Sequence, residues 1–166
     1  MVRGALVAAA LTLAWPGPSR AQPATASAVP ARDASALVVV GQDGRSTTLS
    51  AADLDAMRLA TADLAHNGGG PPVAYAGPLL WAVLDRAGVL GADAPGRVRR
   101  VVVATGRDGY TAILAMAEVD PELGGKPVIV ATRADGQTVT GGLRLVVPGE
   151  KHPARSVHDL ARLEVR

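Results

Sequence analysis

The chain has 166 residues, 17 Lys and Arg against 15 Asp and Glu, no cysteine, and only 2% aromatic residues. The missing cysteine excludes a disulfide scaffold and thiolate chemistry. The scarcity of rings excludes an aromatic cage or stacking platform, and no basic stripe with interleaved aromatics marks a nucleic-acid surface.

Met1-Val2-Arg3 is a short positive start, residues 4–15 are apolar, and Ser19 and Ala21 occupy the small positions that precede a signal-peptidase cut. The sequence therefore predicts a signal peptide over 1–21 and a periplasmic or secreted protein. The apolar run stops at Pro16, too short for a bilayer core of about 30 Å, so no stable membrane span is expected after cleavage. Arg3 and Arg20 leave with the signal, so 15 cationic residues then face 15 acidic ones. What remains is long enough for one core. Residues 22–35, rich in Pro, Ala and Ser, have little to bury and read as a flexible leader to a domain over 36–166.

Within that domain, residues 36–41 are a β-branched run closed by a QDGR turn, and residues 46–50 can pair back as a hairpin. Ser50 with Asp53 three residues on is a capping-box signal for a short helix. Residues 59–77 predict a strand, an open glycine loop around His66, and a second strand. From Pro78 the spacing turns helical: Leu79, Leu80, Val83, Leu84 and Ala87 share a face, Pro78 suits the first turn and Gly88 the C-terminus. Strands then follow at 97–105 and 111–117, a helical turn at 118–123, a buried strand at 126–133, a hairpin turn at 134–137, and strands at 143–148 and 160–166. Strands outnumber helices and come in neighbouring pairs. The expected class is α+β, with a mixed, mostly antiparallel sheet and a few short helices.

Chemistry concentrates in the segment RLVVPGEKHPARSV, where Lys151, His152 and Arg155 fall in one loop after Pro148-Gly149. Two arrangements suit these residues. Either they hold a small anion in a cleft by charge-assisted hydrogen bonds, or Glu150 and Asp159 pair with them at the surface. Arg144 alternates with Leu143 and Leu145, which predicts a solvent-facing position unless it joins the cleft. Asp108 and Asp135 precede glycines and suit turns. Tyr110 suits either a half-buried strand position or a hydroxyl directed into a pocket. His66, His152 and His158 have no metal-ligand spacing, and Ser156, His158 and Asp159 are too close in sequence for a hydrolase triad.

The order of VAYAGPLLWAVLDRAGV, ATGRDGYTAILAMAEVDPEL, PVIVATRADGQ and GGLRLVVPGEKHPARSVHDLARLEV resembles small exported relatives of the molybdopterin-binding domain of sulfite oxidase, over about residues 36–166. Its most specific pieces are Asp108-Gly109-Tyr110, Leu143 to Pro148, and Arg155-Ser156-Val157. The resemblance implies a fold that holds a molybdenum cofactor among cationic loops, with one cysteine thiolate on the metal. This chain has no cysteine, and His158 and Asp159 stand where the larger enzymes commonly carry lysine and tryptophan. The start holds only Arg3 rather than twin arginines, so export of a folded, cofactor-loaded protein is not expected.

The reading that follows is a non-catalytic, exported, molybdopterin-binding-like domain whose partner is a small anionic ligand or an envelope protein. Its candidate ligand residues are Asp108, Tyr110, Arg144, Lys151, His152, Arg155, Ser156 and His158. No cofactor is expected, molybdopterin being the one the resemblance allows. Two alternatives stand beside this reading: a molybdopterin-dependent oxidoreductase holding its cofactor through the pterin alone, and a structural module with a closed cleft.

Overall fold

Val38, Val39 and Val40 favour extended backbone, and they form β1 (Leu37–Val40), which pairs antiparallel with β2 (Ser46–Leu49) through the expected hairpin. The computed structural model describes residues 36–65, 70–91 and 94–166, which fall within one compact unit, Ala31–Arg166. The expected signal peptide (1–21), leader (22–35) and His66 segment of the glycine loop (66–69) lie outside the described residues. After β2 the capping box forms: Ser50 Oγ accepts from the Asp53 amide at 3.1 Å, Asp53 accepts from the Ser50 amide at 2.8 Å, and α1 (Ala51–Asp55) begins.

β3 (Leu59–Leu64) and β4 (Val73–Pro78) pair antiparallel from Leu59 opposite Pro78 to Leu64 opposite Val73. Pro78 thus ends a strand instead of opening the helix, and Leu79 takes the N-cap of α2 (Leu80–Arg86). No side chain caps this helix. The Leu80 amide instead donates to the Val128 carbonyl at 2.7 Å, which ties the helix start to the next strand and leaves Leu79 partly exposed rather than on the buried face. Leu80, Val83 and Leu84 are fully buried, as the helical spacing predicts, and Gly88 closes the helix at φ +71°.

A turn of helix, α3 (Ala94–Arg97), occupies the start of the expected strand, so β5 runs Val101–Gly106. The cause is visible at Arg97. Its Nε donates to the fully buried Asp120 carboxylate at 2.8 Å, Nη2 donates to Glu122 at 2.8 Å, and the guanidinium lies 5.4 Å from the Trp81 ring. β6 (Thr111–Ala115) also stops early, because Met116 turns into the core and starts α4 (Met116–Val119) ahead of the expected helical turn. There follow β7 (Ile129–Ala131), β8 (Arg133–Ala134), β9 (Gln137–Thr138), β10 (Arg144–Val146) and β11 (Leu160–Val165). Asp135 and Gly136 join β8 to β9 at φ 48° and 79°, the double positive-φ geometry that suits a two-residue hairpin.

The strands form a five-stranded sheet, β2-β1-β11-β5-β6, a four-stranded sheet, β3-β4-β8-β9, and a pair, β10-β7. Among the described residues only β1 and β11 pair parallel, so the class is α+β with mixed, mostly antiparallel sheets. One aliphatic core joins the inner face of the five-stranded sheet to α2, β10 and the segment around Val128. A smaller cluster of Leu64, Tyr75, Ile129, Ala131 and Val146 lies beneath the four-stranded sheet. The two are stitched at Gly77, where a Cβ would stand 2.0 Å from the Val130 carbonyl oxygen. No helix among the described residues is long and apolar enough to cross a membrane.

Candidate functional site

Two loops meet at the end of β5. A Cβ on Gly106 would stand 2.7 Å from Asp108 Oδ1 and 2.7 Å from the His158 carbonyl oxygen, so only glycine lets the turn after β5 reach the segment before β11. Asp108 Oδ1 accepts from the Tyr110 amide at 2.9 Å and fixes that turn. The Tyr110 hydroxyl donates to the Ala154 carbonyl, so this exposed tyrosine clasps one loop to the other. Ser156 is buried, and its Oγ accepts from the Val147 amide at 3.1 Å. Its hydroxyl oxygen thereby holds the loop in shape.

Between the loops lies a cavity of about 340 Å³, lined by Asp108, Tyr110, Arg144, His152, Ser156 and His158 with the Pro153-Ala154 segment. Arg144 is half-buried rather than solvent-facing, because Tyr75 on β4 covers it. Its Nη1 donates to the Tyr75 hydroxyl at 3.0 Å and its guanidinium lies 5.0 Å from the ring centre, while its Nε is buried with no hydrogen-bond partner. Burial pulls Arg144 below the ordinary arginine value, and Tyr75 partly offsets this, yet a guanidinium remains a cation at any physiological pH. Burial, and then the Arg144 charge, hold His158 below the ordinary imidazole range, while Asp108 opposes them. His158 is therefore mostly neutral at pH 7 and able to gain a proton when an anion arrives.

The two other cations of the loop lie elsewhere. Arg155 grips Glu118 on α4 with Nη1 at 3.0 Å and Nη2 at 2.9 Å, and its Nε donates to Glu150 at 2.6 Å. Lys126 stands 3.5 Å from Glu118 and 3.8 Å from Glu150. Lys151 is exposed and does not line the cavity. So the loop splits between the two expected arrangements: His152 faces the cleft, and Arg155 is ion-paired. Asp159 pairs with Arg107 at 3.0 Å, not with the cations of its own loop. Tyr75 and Glu118 are the functional neighbours that sequence reasoning missed. Tyr75 carried a signal, since it is one of only two tyrosines and sits in a predicted strand; Glu118 carried none, being far along the chain from Arg155.

A larger groove of about 620 Å³ crosses the outer face of the five-stranded sheet beside Arg107 and Arg162. Its charges are already matched, Arg107 by Asp159 and Arg162 by Glu164 at 3.2 Å. Among the described residues, no three His, Asp or Glu side chains gather as metal ligands. The residues present do not fit a thiolate-bound molybdenum centre: the chain has no cysteine and Arg155 is held by two carboxylates. The cavity of about 340 Å³ also lies at the small end of the roughly 300–1,000 Å³ usual for ligand sites.

No family model matches the sequence, and no curated protein matches it. Among solved structures, the crystal structure of the sulfane dehydrogenase SoxCD from Paracoccus pantotrophus matches with a TM-score of 0.59 and 21% identity. The chain shares a fold with part of that enzyme. The match covers 79% of this chain and 38% of the other, so this chain spans well under half of its length. At that identity the likeness is one of architecture, and activity does not travel with it.

Proposed function

We propose that this chain is an exported, non-catalytic domain that binds a small anion between the loops after β5 and β10. The observation that carries the reading is Arg144: a half-buried guanidinium whose Nε is buried and unpartnered at the wall of a cavity it shares with His158. A buried donor without an acceptor costs stability, and an anion is the group that relieves it best. His152 and His158 add donors, and Asp108 limits how much negative charge the site accepts. The sulfite-oxidase resemblance and the shared architecture with a sulfane dehydrogenase support descent from a ligand-holding fold. The absence of any cysteine supports loss of a thiolate-bound metal.

The test is calorimetric titration with sulfate at fixed ionic strength. Wild-type protein is expected to bind, and Arg144→Gln to bind about 10- to 100-fold more weakly, the factor expected for a lost charge-assisted hydrogen bond. Equal affinity in the two proteins contradicts the reading. The alternative, an oxidoreductase holding molybdopterin through its pterin alone, is decided by elemental analysis and pterin fluorescence on protein from its native source. Neither metal nor pterin is expected, and near-stoichiometric amounts of both would replace the present reading.

A further inference from the structure

The geometry points to an organic monoanion with a short apolar substituent as the ligand, rather than a bare inorganic oxyanion; this rests on the anion-binding reading above. A second cavity, of about 220 Å³, adjoins the first, and Arg144, Pro153 and His158 line both. Its remaining walls are Leu64, Ala65, Val73 and Tyr75. Leu64 and Tyr75 are buried members of the smaller core cluster, and Val73 packs against it, so the wall of this lobe opposite Arg144 and His158 is apolar while their side of it is polar.

Arg144 stands at the junction. Its Nη1 is fixed on the Tyr75 hydroxyl at 3.0 Å, which leaves the buried Nε as the donor without a partner. A headgroup held beside Arg144 and His158 occupies little of the two cavities, whose volumes are many times the roughly 30 Å³ share of one water molecule. A bare oxyanion leaves the apolar wall of the second lobe wetted. A substituent of a few carbons displaces that water and covers Val73 and Tyr75, which favours binding in proportion to the area buried. The Asp108 carboxylate on the first cavity's wall disfavours a second negative charge. The ligand class is thus a short-chain carboxylate or sulfonate.

The experiment is calorimetry of the protein with sulfate and then with methane-, ethane-, propane- and butanesulfonate at one pH and ionic strength. Affinity is expected to rise by up to about fourfold per methylene until the lobe is full. Val73→Asn, at a half-buried position, is expected to flatten that rise. If sulfate and all the sulfonates bind equally, the apolar lobe takes no part and this inference falls while the anion site stands. If none of them binds, both fall together.

Discussion

Arg144 opens β10 and Arg155 lies in the loop that follows it, and their surroundings set their roles. Glu118 takes the bidentate face of Arg155 and Glu150 takes its Nε, so this guanidinium fastens the loop to α4. The same contact acts on Glu118, whose carboxyl is held below the ordinary carboxylate range, first by the Arg155 hydrogen bonds, which outweigh the opposing effect of burial, with the charges of Arg155 and Lys126 adding to the lowering. A carboxyl depressed in the folded state stabilises the fold above its unfolded value, near 4.5, and that contribution is lost as pH falls through the folded value. Glu118→Gln is expected to lower the melting temperature at pH 7, with the difference from wild type shrinking toward pH 3. Melting curves at the two pH values check this, and a constant difference would deny the ion pair its role. The sequence placed Arg155 and Glu150 together but gave no sign of Glu118, because the pair closes only when α4 packs under the loop.

At the scale of elements, the site depends on strands that approach one another without side chains between them. Gly77 is the clearest case, since a methyl there would meet the Val130 carbonyl at 2.0 Å and the Ala131 Cα at 2.7 Å. Backbone atoms on both sides leave no flexible group to yield. Gly77→Ala is expected to destabilise the domain by about 1–3 kcal/mol or more, the usual cost of overpacking, measured by urea unfolding. An unchanged midpoint would mean that β4 and β7 can separate freely. Much of this level was legible beforehand. The first hairpin, the Ser50 to Asp53 capping box and the Asp135-Gly136 turn all formed as predicted. The errors fell where tertiary contacts outweigh local pattern: Pro78 was drawn into β4 by pairing with Leu59, and residues before Val101 became a turn around the Arg97 to Asp120 pair.

At the scale of the molecule, one aliphatic core packs the five-stranded sheet against α2 and β10, a smaller cluster lies beneath the four-stranded sheet, and the loops are free to differ in chemistry. The cleft was legible in part. Asp108, Tyr110, Arg144, His152, Ser156 and His158 line one cavity, while Lys151 and Arg155 do not join them. Tertiary packing made that division, and no spacing in the chain encodes it. The same packing couples ligand to proton. His158 is depressed by burial first and by Arg144 second, so the folded protein disfavours its protonated form, and stability contributed by neutral His158 is lost as pH falls below about 6.5. An anion placed between Arg144 and His158 reverses the second cause and raises the histidine toward its ordinary value.

That reversal is the most direct test of an anion site at Arg144. The measurement is an NMR pH titration of the His158 ring, assigned with His158→Gln, in the absence and presence of saturating sulfate. The account predicts that His158 titrates below the ordinary range without sulfate and moves upward when sulfate is added. A His158 titration that sulfate leaves in place would contradict it.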